Sequence, residues 1–327
     1  MNTRLKNILK YLLSLLLAAV LLWFAFKGVV WKDFLDGLQT TRWAYILLSV
    51  LAGFLALVFR AERWRLQLVT LDPEINRMRI WHGSNIGNFL SLVIPGIGEF
   101  YRCGHVCSPE SGYDRTLGTI IMERFWDVLA IVVLLLAAIL CSADTLAPFI
   151  RENVIGPFAS RFSFSFWWIF SAVCLLLATL GFIVWKSRES SKLCRKCIDT
   201  VRGILQGFAT FRKMPGKAVF VLLTVGIWTM YIFMAYFCIL AVPGLEHMDF
   251  GDALFISAIG NIASVIPTPG NMGAYHYLVG LSISSIYACS WETGLLCATL
   301  SHGSHAAFLI LLAIHSWIVV TLKKKKD

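Results

Sequence analysis

Five charged residues stand where a strongly apolar chain would not be expected to carry them. Glu99 and Arg102 follow a Pro95-Gly96 break, and Glu123, Arg124 and Asp127 open the apolar run IIMERFWDVLAIVVLLL. Glu123 and Asp127 are four apart and share a helix face, while Arg124 and Asp127 are three apart and can pair. A charge at mid-bilayer costs at least ~2.5–3.5 kcal/mol, so such residues usually pair or line a polar cavity. In such a cavity Arg102 and Arg124 would accept a phosphate. Glu99 and Glu123 would hold those guanidinium groups in register or recognise a cationic headgroup. The alternative for Glu123 to Asp127 is a place near enough to the membrane surface to be ordinary boundary charges. Arg60, Arg63 and Arg65, in FRAERWRLQL, carry two readings as well. They are topology anchors with Trp64 at the interface, or a landing site for a lipid phosphate. His276, His302 and His305 lie close in sequence, the last two on one helix face. They could relay protons near neutral pH, or be hydrogen-bonded between helices.

These residues need helices that cross a membrane to position them. The chain has 327 residues, is 58% hydrophobic and only 15% charged, with a mean hydropathy of +0.72. Such a composition cannot furnish the charged surface of a soluble protein, and several runs approach the ~20 apolar residues that span a bilayer. The predicted fold is an all-α integral membrane protein with six full spans, at 8–26, 43–60, 116–140, 166–185, 218–241 and 294–320. The N-terminal run resembles a signal sequence, but Trp23, Phe24 and Phe26 sit where small cleavage-site residues belong, so an uncleaved first span is expected. Basic residues cluster at the N-terminus, around 60–79, through 186–217 and in the KKKK of Lys323 to Lys326. The 141–165 and 242–252 loops are poor in them. Both termini are therefore expected in the cytoplasm. The net charge of +10 follows from the same rule and calls for no nucleic-acid partner.

Between the spans, two stretches repeat a pattern: GNFLSLVIPGIGEFYR at 87–102 and GNIASVIPTPGNMGAYHY at 260–277. Each interrupts an apolar run with Pro and Gly, which a membrane tolerates only where protein or a water-filled cavity satisfies the freed backbone groups. Each is thus predicted to be a re-entrant helical hairpin, 81–107 entering from the cytoplasmic side and 251–290 from the external side. The motif residues are Asn88, Pro95, Gly96 and Gly98 in the first, and Asn261, Pro267, Pro269, Gly270 and Gly273 in the second. Glycine permits close backbone approach there, and Asn261 and Ser264 can bond free backbone groups. Helix ends at such breaks point partial charges at a ligand. The expected organisation is a first span and external loop (1–42), an inverted repeat (43–140), a connector (141–217) and a second inverted repeat with a basic tail (218–327). Inverted repeats with broken helices handle substrate near the midplane. In the connector, Leu193, Cys197, Val201, Ile204, Leu205 and Phe208 recur at helical spacing. That suits an amphipathic helix on the inner membrane surface or a solvated link.

Several chemistries lack their signatures. The chain has no G-x-x-x-x-G-K-[ST] loop, no H-E-x-x-H and no G-x-S-x-G, so neither ATP hydrolysis nor enzyme activity is expected, and no cofactor. Cys103 with Cys107, and Cys194 with Cys197, could in principle offer four thiolates to zinc. The first spacing is loose and reduced thiols are expected instead, with no metal.

RAERW, NFLSLVIPGIGEFYR, MERFWD and PTPGNMG, in that order, resemble the lysylphosphatidylglycerol synthase transmembrane family, or flippase-like domain, over nearly the whole chain. The Gly98-Glu99-x-x-Arg102 and Glu123-Arg124-x-x-Asp127 motifs carry most of that likeness. The resemblance implies an inner-membrane protein that translocates lipids or lipid-linked molecules, like the N-terminal domain of multiple peptide resistance factors. The synthase activity of the two-part relatives belongs to a soluble C-terminal domain, which does not precede the KKKKD end here. The family often carries an acidic residue shortly after the second Gly motif, where this chain has Ala274, Tyr275 and His276. The expected function is therefore a phospholipid or lipid-headgroup flippase whose partners are phosphate-containing membrane lipids and, in one variant, a separate lipid-modifying enzyme. Two alternatives stand beside it: an ion-coupled secondary transporter of a small soluble solute, and a membrane scaffold for such an enzyme.

Overall fold

The computed structural model describes residues 3–141, 192–263 and 266–324, together with Leu175, Thr179 and Lys186. The predicted 166–185 span, most of the 141–165 loop and Ser264 lie outside the described residues. In chain order the helices are α1 (Thr3–Phe26), α2 (Trp31–Thr40), α3 (Trp43–Leu68), α4 (Arg77–Val93), α5 (Ile97–Val106) and α6 (Tyr113–Cys141). From residue 192 onward come α7 (Lys192–Phe208), α8 (Thr210–Lys213), α9 (Lys217–Ala241), α10 (Phe250–Ile262), α11 (Ala274–Ile286) and α12 (Trp291–Lys324), with a 3-10 turn at Pro269–Asn271. No strand occurs among the described residues. The protein is an all-α membrane protein. Among the described residues four helices, α3, α6, α9 and α12, are long and apolar enough to cross a bilayer alone, in place of the predicted 43–60, 116–140, 218–241 and 294–320 spans.

The first predicted span, 8–26, lies within α1, and the chain bends after it. Residues 15–26 and 31–40 meet at a bend of 88°, so the stretch read as an external loop contains a helix. Trp31, Phe34, Leu35 and Leu38 give α2 an apolar stripe, and Phe34 is buried. The amide of Val30 donates to Glu292 Oε1 at 3.1 Å, pinning the bend to the start of α12. Arg42, next in the chain, pairs with Glu246 at 3.0 Å on the loop after α9.

Both quoted stretches form helix–break–helix hairpins. Asn76 caps α4 by accepting from the amides of Met78 and Arg79. That helix ends where Pro95 forces Ile94 into an extended conformation (φ −128°, ψ 115°). Gly96, at φ +77°, turns the chain into α5, a conformation that costs a side chain-bearing residue. In the second hairpin Asp249 and Asp252 form a capping box at the start of α10. Pro267, Pro269 and Gly270 occupy the break before α11, and Gly273 lies so close to α1 that a Cβ there would come within 2.8 Å of the Leu22 nitrogen.

The packing of these hairpins is reciprocal. The first helix of the first hairpin, α4, lies against α12, the long helix that follows the second hairpin; α10 lies against α6, the long helix that follows the first. The two long helices that precede the hairpins, α3 and α9, pack along each other. The 3-10 turn of the second break touches α4, with Gly270 against Leu92 two residues before Ile94. The two breaks therefore meet inside the bundle. The larger apolar core includes Phe255, Ile239, Leu245, Ile283 and Leu295. A smaller one gathers around Trp64, Leu68, Ile80 and Cys103.

The connector helix α7 is held against α6. Gly118 and Gly207 face each other with backbones so close that neither could carry a Cβ, and the Cβ of Asp114 fills the space over Gly203. Val201 and Leu205 remain exposed on its outer side. α7 is thus bound to the helical body through its small residues.

Candidate functional site

The charged residues of three helices converge. From α3 come Arg60 and Arg63, from α5 Glu99 and Arg102, and from α6 Glu123, Arg124 and Asp127. Arg63 Nη2 donates to Asp127 Oδ1 at 2.7 Å and lies 3.8 Å from Glu123 Oε1. Arg102 donates to Glu123 Oε2 at 2.9 Å and to Glu99 Oε2 at 3.0 Å. Arg60 Nη2 is 3.5 Å and Arg124 Nη1 3.6 Å from Asp127 Oδ2, and Arg124 also pairs with Glu99. All seven belong to one network, in which four guanidinium groups face three carboxylates and one positive charge is in surplus.

The members differ in what they have left to offer. Arg63, Glu123 and Arg102 are buried, with side-chain exposures of 0%, 1% and 5%. The Nε atoms of Arg63 and Arg102 have no hydrogen-bond partner. Their guanidinium groups instead lie over rings, Arg102 4.2 Å from the centroid of Trp64 and Arg63 5.6 Å from that of Phe220. Trp64 is itself held by its indole N–H, which donates to Thr119 at 2.9 Å. Buried charges of this kind are stable only when paired, since each would otherwise bear its full desolvation cost. Arg124 is the contrast: 52% of its side chain is exposed, and it stands at the rim. Arg65 belongs to a different group, paired with Glu62, which also pairs with Arg77.

Beside the network lies a cavity of about 290 Å³ between the hairpins, α9 and α12. Asn88 and Asn261, the second residues of the two repeated motifs, both line it. The glycines preceding them act alike. A Cβ at Gly87 would meet Arg102 at 2.5 Å, and one at Gly260 would meet the Tyr275 ring at 2.6 Å, so each lets the returning helix close in. Gly98 faces the Gly87 carbonyl in the same crossing. Tyr231 connects the two regions: it lines the cavity, and its hydroxyl accepts from Arg60 Nη1 at 3.3 Å.

The structure places two of the three histidines on the cavity wall. His302 Nε2 lies 2.6 Å from the carbonyl oxygen of Gly270, and His305 lies one turn further along α12, beside Gly53. His276 is buried behind them, its ring 5.1 Å from that of His302. Pro95, Gly96, Pro267 and Gly273 shape the breaks without lining the cavity. Sequence reasoning passed over Tyr231, Thr224, Ser257 and Tyr275. Thr224, Trp228 and Tyr231 form a stripe at spacings of four and three in the apolar α9, which is the signal that could have found the first two. Thr224 accepts from Arg63 Nη1 at 3.4 Å.

No group of three or more metal-ligating side chains suited to an ion occurs among the described residues. Cys103 is buried and its thiol donates to the Tyr113 carbonyl at 3.3 Å; the side chains of Cys194 and Cys197 lie outside the described residues. Residues 11–313 match the family profile described as the lysylphosphatidylglycerol synthase TM region. A 139-residue segment is 27% identical to a UPF0104 membrane protein of Pyrococcus horikoshii, covering 40% of this chain and 40% of that protein. The chain thus spans well under half of that relative in the match. No solved structure matches it.

Proposed function

Because this chain belongs to the lysylphosphatidylglycerol synthase TM region family, we propose that it is a lipid translocase that conducts a phosphate-bearing headgroup across the membrane, and not an enzyme. The observation that carries the reading is the Arg–Glu–Asp network with its surplus positive charge and its one rim guanidinium, next to a polar cavity where two hairpin breaks meet. Arg124, backed by Arg60, takes the phosphate. Arg63 and Arg102 are already committed to carboxylates and ring faces, so they hold Glu123, Asp127 and Glu99 in place. A forked, charge-assisted contact suits a phosphate oxygen pair.

A small soluble solute would need only the polar cavity. A lipid also needs somewhere for its chains, and an apolar groove of about 300 Å³ runs between α6 and α9, walled by Trp126, Leu129, Val133, Val221, Val225 and Trp228. It reaches Thr224, which bonds Arg63, so headgroup and chain seats adjoin. The groove and network together lower the cost of passing a charge through hydrocarbon. The two hairpins act as inverted repeats around the shared cavity, with both termini in the cytoplasm of a cell with an inner membrane. The reciprocal packing of α4 with α12 and α10 with α6 supports that relation.

The test is transport of a fluorescent phospholipid by the purified protein in proteoliposomes. Wild type should move it, and Arg124→Ala should lower the rate about tenfold or more, the weight of one charge-assisted contact, with thermal stability close to wild type. Equal rates in the two proteins, or no movement by wild type, would overturn the assignment.

A further inference from the structure

The lining of the hairpin cavity has a property that the charge network beside it lacks. None of the described residues that line it carries a fixed charge; the polar groups are hydroxyls, carboxamides and imidazoles. An ammonium group lodged there would find no carboxylate on the walls, and a second phosphate would find no guanidinium, each a costly burial. Ser257 is 6% exposed, lines the cavity, and its Oγ has no hydrogen-bond partner. A buried hydroxyl left unsatisfied in this way marks a place where a ligand or water atom belongs.

The other polar groups are arranged with free capacity. The Gly270 carbonyl can only accept, so His302 Nε2 carries the hydrogen in that contact and Nδ1 is left as an acceptor. Tyr231 accepts from Arg60, which leaves its own O–H to donate. Tyr275 and Ser301 share a hydroxyl–hydroxyl bond of 3.0 Å on the same wall. Asn88 stands on the α4 wall of the same space. The volume equals that of roughly ten waters at about 30 Å³ each, enough for one six-membered ring bearing hydroxyls.

We propose that the cavity between the hairpin breaks is a subsite for an uncharged, hydroxyl-rich ring, carried on the phosphate that Arg124 and Arg60 hold. This rests on the lipid reading above and narrows it: the favoured cargo is a phospholipid whose headgroup is a sugar or cyclitol. A headgroup ending in an amine is disfavoured. Tyr231 joins the two subsites, touching Arg60 on one side and the ring on the other.

The test uses the full chain in phosphatidylcholine nanodiscs, with bound lipid counted by native mass spectrometry. Four probes share a phosphate: phosphatidic acid, phosphatidylinositol, a polyprenyl phosphohexose and lysylphosphatidylglycerol. Wild type should retain a ring-bearing probe about five- to tenfold over phosphatidic acid and lysylphosphatidylglycerol, the worth of one or two hydrogen bonds. Which ring-bearing probe leads distinguishes a sugar from a cyclitol. Asn88→Leu and Ser257→Ala should erase that preference while leaving phosphatidic acid binding unchanged, and Arg124→Ala should weaken all four together. Ser257→Ala removes an unpartnered hydroxyl, so it folds as wild type does and keeps the test open if Asn88→Leu does not. Equal retention of phosphatidic acid and the ring-bearing probes, or preference for lysylphosphatidylglycerol, would overturn the subsite while leaving the lipid translocase standing. Retention of none of the four would overturn both.

Discussion

Glu123 and Arg124 are neighbours in sequence with opposite energetic roles. Glu123 gives one oxygen to Arg102 and sets the other 3.8 Å from Arg63, both guanidinium groups being buried. Glu123→Gln removes the charge that compensates them. The expected loss is about 3–5 kcal/mol of stability, the cost of leaving a buried charge without its partner. Arg124 is half exposed and screened, so Arg124→Ala should cost less than about 1 kcal/mol. Thermal unfolding of the two variants in one detergent checks the contrast; similar melting temperatures would refute it. The spacing of Glu123 and Asp127 made their shared face, and the i,i+3 pairing of Arg124 with Asp127, legible from the sequence. Their partner Arg63 lies 64 residues from Asp127, and nothing local tells a buried guanidinium from an orientation anchor. Burial is a property of packing, which one-dimensional spacing does not encode.

At the scale of helices, the two breaks separate conformational strain from packing. Gly96 has a positive φ and open space around it, so Gly96→Ala should cost only the left-handed penalty, about 1–2 kcal/mol. Gly98 faces backbone, the Gly87 carbonyl, which cannot swing aside. Gly98→Val should therefore cost more, at or above the roughly 1–3 kcal/mol of ordinary overpacking, and should open the α4–α5 crossing to protease. Melting temperatures with limited proteolysis measure both; equal effects would contradict the assignment. Pro and Gly made both hairpins legible, because those residues act through local backbone geometry. The α2 helix escaped for the converse reason. Its ten residues carry an apolar stripe, but its charges suit a loop, and its bend is held by distant residues at the start of α12, Glu292 on the Val30 amide and Trp291 on the Ala25 carbonyl.

For the whole molecule the reciprocal packing matters most. Asn85 of α4 donates to Ser316 of α12 at 3.2 Å, a contact across the two halves. If transport requires one hairpin unit to rock against the other, a disulfide at this point should stop it. Asn85→Cys with Ser316→Cys, in a background without other cysteines, is expected to cross-link under oxidation. Transport should fall about tenfold or more and recover with reductant, while lipid binding persists. Transport unaffected by a complete cross-link would exclude movement at this interface. The charge distribution of the sequence made opposite entry of the hairpins legible as an expectation. It could not say which helix each hairpin would lean on, since all the candidates are equally apolar.

The same Asn85–Ser316 contact, 231 residues long in sequence, also sets a timetable for the ribosome. The first hairpin reaches the membrane with Pro95 and Gly96 already breaking its helix, but Ser316 of α12, which closes over it, is made 231 residues after Asn85. Until then α4 must wait half-assembled beside the translocon, and long-range closure of this kind is slow. A chain cut between α6 and α7 should consequently yield an unstable N-terminal fragment, degraded when expressed alone and rescued when the C-terminal piece is supplied in the same cell. An N-terminal fragment that accumulates stably by itself would show that the bundle does not need α12 to keep its first hairpin.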